Sequence, residues 1–103
     1  MQVLTPGHKY VCVNFENVQS GQTVQFIEKE PLVVGSTELR TISDGTTNEE
    51  VLAMLIDRMN YLQAAFPCGQ NVAAIFNLNE ALRWLEDRTA SRKSRGIEGK
   101  QIL

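Results

Sequence analysis

Apolar residues in the first part of the chain follow the short period that is typical of β-strands. Residues 10–15 are rich in strand-forming side chains, and residues 23–28 begin with alternating polar and apolar positions. Asparagine, serine and glycine between these segments are typical of a turn, which predicts a hairpin with a longer loop. We expect Cys12 to be a buried small hydrophobic residue in the first of these strands.

From residue 31 onward the pattern indicates shorter extended segments. Pro31 follows the second strand and has no amide proton to donate to a sheet. The three aliphatic residues 32–34 are interpreted as a third short strand, which Gly35 interrupts, and residues 38–42 as a further extended stretch. Together these segments predict a small antiparallel sheet in residues 1–43.

Helical periodicity begins after a loop at residues 44–46. Thr47 is followed three residues later by Glu50, which matches a capping box: the hydroxyl accepts from a first-turn amide, and the carboxylate reaches back. This predicts a first helix from about Asn48 to Ala65. Its main apolar stripe is expected to contain Leu52, Leu55, Met59, Leu62 and Phe66.

A short break separates this helix from a second, longer one. Proline and glycine at positions 67 and 69 end the first helix, and Asn71 is the predicted N-cap of the next. The second helix is predicted to continue to Arg95, with Gly96 at the C′ position. Because the connection is short, the two helices must form an antiparallel hairpin. Its second apolar stripe comprises Ile75, Leu78, Leu82 and Leu85.

Length and composition fit one small globular domain. The chain has 103 residues, of which 43% are apolar and 21% charged. We predict a single α+β domain: a small N-terminal antiparallel β-sheet (residues 1–43), then a C-terminal antiparallel helical hairpin with a short tail (residues 44–103). Since neither a signal peptide nor a run of about 18 apolar residues is visible, we expect a cytoplasmic protein.

Positive charge is concentrated at the end of the chain. Residues 1–87 carry five basic and eleven acidic side chains, a net charge of −6, whereas residues 88–103 carry a net charge of +4. Extending the apolar stripe of the second helix predicts Arg88, Arg92 and Arg95 on one face. Unpaired buried charges are costly, so these guanidinium groups need carboxylates, phosphates or water, and a nucleotide would suit them. A solvated or ion-paired helix end is the commoner explanation of such a row.

Other residues give weaker indications of chemistry. His8 stands alone in an exposed loop, and Cys12 and Cys68 have no metal-type spacing and no support for a disulfide. No phosphate-binding glycine loop or metal motif is visible, so we expect no catalytic residue, metal or cofactor. Trp84 lies beside the main stripe, where a core or interface position is favoured over a stacking platform.

Several runs of residues in the helical half form a distinctive pattern. They are residues 44–52 (DGTTNEEVL), 80–92 (EALRWLEDRTASR) and 95–99 (RGIEG), with shorter matches between them. These runs resemble the helical-hairpin domain that first-type Thoeris anti-defence proteins share with second-type anti-CBASS proteins. The resemblance covers roughly residues 44–99, and the β-rich first part looks like the Thoeris branch.

This resemblance implies a sponge rather than an enzyme. Such proteins sequester, without cleaving, the cyclic nucleotide signals of bacterial immunity. For Thoeris these are cyclic ADP-ribose isomers, especially glycocyclic forms; some members also bind the cyclic di- or trinucleotides of CBASS. The resemblance further implies homo-oligomers from dimers to hexamers, with pockets between subunits, in the cytoplasm of the infected bacterial host. Neither a nucleic acid polymer nor a membrane is an expected partner.

The resemblance also assigns residues. The family's Arg-Thr-x-x-Arg run falls on Arg88 and Arg92, which would contact phosphates and stack on a base. The asparagine at the start of the second helix falls on Asn71, and the aromatic position late in the first helix falls on Tyr61.

Arg58 and Thr47 are implied candidates for a second site that binds cyclic oligonucleotides. Two other functions stay open. One is a protein-interaction module whose arginine-tipped helix binds an acidic partner, and the other is a nucleotide-degrading enzyme.

Overall fold

A computed structural model of the chain describes residues 1–97 and Lys100, and it contains β-strands followed by two helices. The predicted α+β fold with a C-terminal helical hairpin is confirmed. The strands are β1 (Gln2–Thr5), β2 (Lys9–Val13), β3 (Gly21–Gln25), β4 (Glu28–Pro31) and β5 (Leu39–Ser43). The helices are α1 (Asn48–Ala65) and α2 (Gly69–Ser94).

The chain divides into two compact units, a β-rich unit (residues 1–47 with Lys100) and a helical unit (residues 48–97). The predicted boundary between β-rich and helical parts, at residues 43 and 44, lies close to this division. That the whole chain behaves as one domain stays a prediction.

The β-rich unit contains two antiparallel sheets instead of the single sheet predicted. One has the order β1-β2-β3, and the other pairs β4 with β5. The hairpin of β2 and β3 is confirmed, with Tyr10 opposite Val24. Strand β1, which pairs Val3 with Tyr10, was not predicted because this short edge strand lacks polar and apolar alternation.

Two expectations about the β-rich unit are wrong. Residues 32–34 form a turn rather than a third strand: Ser36 N–H donates to the Val33 carbonyl at 3.0 Å, and Gly35 has a φ of 82°. The left-handed glycine reverses the chain between β4 and β5, which overrides the strand propensity of the aliphatic residues. Cys12 is exposed instead of buried, and it pairs with Gln22 close to the loop that connects β2 with β3.

The loop before α1 is attached to the end of β3. Thr46 N–H donates to the Gln25 carbonyl at 2.8 Å, and Ile27 N–H donates to the Thr46 carbonyl at 2.9 Å. A Cβ at Gly45 would lie 2.5 Å from the Gln25 carbonyl oxygen, so only glycine allows this approach. The loop therefore has a fixed attachment directly before the first helix.

Helix α1 has the predicted bounds, whereas α2 begins three residues earlier than predicted. Cys68 is the N-cap of α2, with an extended backbone and a Sγ atom that accepts from Asn71 N–H at 3.4 Å. Asn71 is therefore in the first turn, and its prediction as the N-cap is wrong. At the other end, Arg95 is the C-cap and Gly96 has a φ of 70°, which confirms glycine at C′.

The helices pack on each other along stripes of half-buried positions, which in α2 advance by alternating steps of three and four residues. In α2 the predicted apolar stripe is confirmed as half-buried. In α1 the prediction is partly wrong, because Leu55 and Phe66 are exposed and Ile56 lies inside instead. The half-buried apolar positions are Val51, Leu52, Ile56, Met59 and Leu62 in α1 and Ile75, Leu78, Leu82 and Leu85 in α2.

The described chain has an unusually open apolar surface. None of its apolar side chains is fully buried, although the helices are about five and about seven turns long. Large apolar side chains on the outer surfaces of the helices include Met54, Leu55, Val72 and Phe76. Within residues 1–97, neither helix is long and apolar enough to cross a membrane.

Candidate ligand-binding site

The predicted row of arginines is divided between the inside and the outside of the hairpin. Arg92 is only 8% exposed, whereas Arg88 and Arg95 are exposed. The prediction that Arg88 continues the apolar stripe is wrong. After Leu85 the alternating steps lead to Thr89 and then to Arg92, so Arg88 lies outside the stripe.

Arg92 forms hydrogen bonds with the segment directly after α2 through both its backbone and its side chain. Its Nη2 donates to the Ile97 carbonyl at 3.2 Å, and Ile97 N–H donates back to the Arg92 carbonyl at 2.9 Å. Gly96 N–H donates to the Lys93 carbonyl at 3.0 Å. These two backbone bonds form a Schellman motif, which the Arg92 guanidinium reinforces. Arg92 is therefore a fixed cation at the end of α2.

Trp84 and Arg83 form an exposed pair one turn before Arg88. The guanidinium carbon of Arg83 lies 4.6 Å from the centroid of the indole ring, and Trp84 is 60% exposed. A core position for Trp84 is thus excluded. No sequence pattern pointed to this pair, because stacking of neighbouring side chains depends on their rotamers.

Glu80 holds Arg83 over the indole ring. Arg83 Nη2 donates to Glu80 Oε2 at 3.0 Å, and Arg83 Nε donates to Glu80 Oε1 at 3.4 Å. These hydrogen bonds, and to a smaller extent the positive charge of Arg83, lower the pKa of the Glu80 carboxyl group. In turn, the hydrogen bonds to Glu80 and its negative charge raise the pKa of Arg83. The spacing of three residues along a helix could have predicted this ion pair.

Asn71 and Tyr61 lie near the connection between the helices. The Asn71 side-chain amide donates to the Phe66 carbonyl at 3.5 Å, so it helps to hold this connection. Tyr61 is 72% exposed on the last part of α1. Arg88 lies 17 residues beyond Asn71 along α2, which is about 25 Å. One hairpin thus does not bring Asn71 together with Arg88.

The candidates for a second site are also separated. Thr47 directly precedes α1, and Arg58 is exposed 11 residues farther along the chain. At 1.5 Å per helical residue this separation is about 16 Å. These two residues are therefore not neighbours in the chain as it folds.

In the part of the chain that the structure describes, titratable residues outside the arginine region do not gather into a metal site. Within residues 1–97 no group of three His, Cys, Asp or Glu side chains could hold a metal ion. His8 Nδ1 lies 3.1 Å from the Pro6 carbonyl and 3.4 Å from Glu28 Oε1. Cys12 and Cys68 are free thiols.

Part of this chain is similar to a curated phage protein. No protein-family model matches the chain. A curated protein, Thoeris anti-defense 1 of Bacillus phage SBSphiJ7, is 48% identical over 58 residues, which are 55% of this chain and 41% of the phage protein. The resemblance to Thoeris anti-defence proteins is confirmed.

The similarity to Thoeris anti-defense 1 is local. The chain spans about two fifths of the length of that protein, so the match concerns part of each molecule. Nothing in the match assigns a role to individual residues. The roles of Arg88, Arg92, Asn71, Tyr61, Arg58 and Thr47 stay predictions.

Proposed function

We propose that this protein is an anti-defence sponge that captures an intact cyclic nucleotide of a Thoeris immune system. The observation that carries the proposal is the similarity to Thoeris anti-defense 1 together with the cationic end of α2. The ligand is a cyclic ADP-ribose isomer, including glycocyclic forms. It is held stoichiometrically and without cleavage, in the cytoplasm of the infected bacterium, so that the immune effector receives no signal.

Arg88 and Arg92 bind the pyrophosphate of this ligand in complementary ways. Arg88 is exposed and meets the ligand from solvent. Arg92 is held by the Ile97 carbonyl, so little side-chain freedom is lost when an anion approaches. Guanidinium groups suit phosphates because they donate two parallel hydrogen bonds.

A homo-oligomer provides the rest of the pocket. Asn71 and Tyr61 lie far from Arg88 within one hairpin, so a ligand that touches both groups must lie between two copies of the chain. Exposed apolar residues of α1 and α2 offer the contact surface, since a soluble monomer rarely leaves large apolar patches open. The assemblies expected by resemblance range from dimers to hexamers.

Arg58 and Thr47 contribute to a second kind of site, which accepts CBASS cyclic di- or trinucleotides. Only the family resemblance supports this assignment. Because the two residues are about 16 Å apart along the chain, this site also needs residues from more than one copy.

Calorimetry followed by chromatography tests the proposal. Cyclic ADP-ribose, glycocyclic ADP-ribose and cyclic di- and trinucleotides are titrated into the protein, with inorganic pyrophosphate as a control. The protein is then denatured by heat, and the released ligand is compared with the starting compound. Binding with release of unchanged ADP-ribose isomer is expected. Converted ligand would identify an enzyme, and no heat with any nucleotide would favour an interaction module with an acidic partner.

A further inference from the structure

Trp84 is exposed in a part of α2 that is otherwise charged. A tryptophan usually hides most of its large apolar surface, yet this one is 60% exposed. Its neighbours one turn away are Glu80 and Arg88, and Arg83 precedes it directly. The indole therefore offers a flat apolar surface within a ring of ionic groups.

One face of the indole ring is already covered. The guanidinium of Arg83 lies over it, and Glu80 fixes that guanidinium with two hydrogen bonds. The ion pair restricts the rotamers of Arg83, which keeps the stack in place. A ligand would meet the opposite face of a ring that its neighbours already orient.

Arg88 lies one helical turn beyond Trp84 on the same side of α2. Residues four positions apart on a helix are neighbours, with Cβ atoms about 5–6 Å apart. A flat aromatic group on Trp84 would thus have an anion-binding guanidinium directly beside it. This combination of an aromatic surface with a cation suits a nucleotide, whose base stacks while its phosphates pair with arginine.

We propose that Trp84 is the stacking platform for the base of the captured nucleotide, with Arg88 directed at the phosphates of the same molecule. This inference rests on the proposed function and adds a contact to its site. The charges around Trp84 argue for a nucleotide and against a second copy of the chain. An apolar contact here would remove the Arg88 guanidinium and the Arg83–Glu80 ion pair from water, which is costly unless Arg88 gains a partner.

The fluorescence of Trp84 tests this directly, because it is the one tryptophan of the chain. Glycocyclic ADP-ribose and cyclic ADP-ribose are titrated while tryptophan emission and calorimetric heat are both recorded. We expect emission to change in step with the heat, since the adenine stacks on the indole. Inorganic pyrophosphate, which has no base, is expected to leave the emission unchanged.

Two variants at the same position complete the test. Trp84→Ala is expected to weaken binding of the ADP-ribose isomer roughly tenfold or more, and Trp84→Phe, which keeps an aromatic face, to weaken it less. Light scattering and circular dichroism check that both variants keep the wild-type assembly and fold.

Two results would overturn the platform while leaving the sponge standing. One is calorimetric binding to wild type with no change in emission and wild-type affinity in Trp84→Ala. The other is dissociation of the assembly in both Trp84 variants, which would make the indole a subunit contact. Absence of heat with every nucleotide would overturn the proposed function as well.

Discussion

In the first half of α2 the exposed side chains include Val72 and Phe76, whereas in the second half they include Trp84 and Arg88. Both halves use the same inward stripe to pack on α1, with half-buried apolar residues at steps of four and three. The inward stripe becomes polar only at its last two positions, so the larger difference lies in the side chains that the helix exposes. One half offers apolar surface, and the other offers an indole among charges.

This difference teaches that one helix can serve two kinds of recognition. Apolar surface lowers its free energy by leaving water, and it favours contact with another apolar surface of a second subunit. Exposed guanidinium groups remain hydrated until a phosphate or carboxylate arrives. We therefore propose that the first half of α2 contacts another subunit and that the second half captures the ligand.

The largest effect should follow from removing the apolar outer side chains. Val72→Ser combined with Phe76→Ser takes away most of the apolar surface in the first turns of α2. We expect the assembly to dissociate, as measured by light scattering, because burial of these side chains no longer compensates for the entropy of association.

The control for this variant is Ala73→Ser, which adds a hydroxyl to an exposed position of the same helical turn. Its mass in solution should equal that of wild type. An unchanged mass in the double variant would move the subunit contact away from this half of the helix.

A smaller effect is expected on the free energy of unfolding without ligand, which should differ between variants of Arg92 and of Arg88. Arg92→Ala removes a hydrogen bond to the Ile97 carbonyl and a buried aliphatic stem. We expect it to lower the free energy of unfolding by about 1–2 kcal/mol. Arg88→Ala, at an exposed position, should change it by less than about 0.5 kcal/mol. Chemical denaturation followed by circular dichroism gives both values, and equal losses would contradict a structural role specific to Arg92.

Much of the helical unit could be predicted from sequence because its signals are local. Thr47 and the break at Phe66-Pro67 gave the bounds of α1, and Gly96 gave the end of α2. The start of α2 was missed because a cysteine is not among the residues that commonly cap helices. Residues 32–34 were wrongly predicted as a strand. Strand propensity reflects packing of side chains against neighbouring strands, and residues in the turn before Gly35 have no such neighbours.

The candidate site was harder to predict for a geometric reason. A spacing of three residues after Leu85 pointed to Arg88, but the alternation of four and three leads to Thr89 and Arg92. Continuing that alternation would have identified Arg92 as the inward arginine. The stack of Arg83 on Trp84 depends on rotamers that neighbouring side chains select together, so the sequence pattern alone could not provide it.

The central claim is that the cationic half of α2 captures the ligand. Its most direct test is a calorimetric titration of glycocyclic ADP-ribose into wild type, Arg88→Ala combined with Arg92→Ala, and Lys93→Ala. The last variant removes one positive charge from an exposed position of the same helix. All three are compared at a temperature where circular dichroism and light scattering show the wild-type fold and assembly.

We expect the arginine double variant to lose about a hundredfold or more in affinity, because each charge-assisted hydrogen bond contributes about 1.5–3 kcal/mol. Lys93→Ala should stay within about threefold of wild type, as expected for an exposed charge outside the site. Wild-type affinity in the double variant would contradict the account.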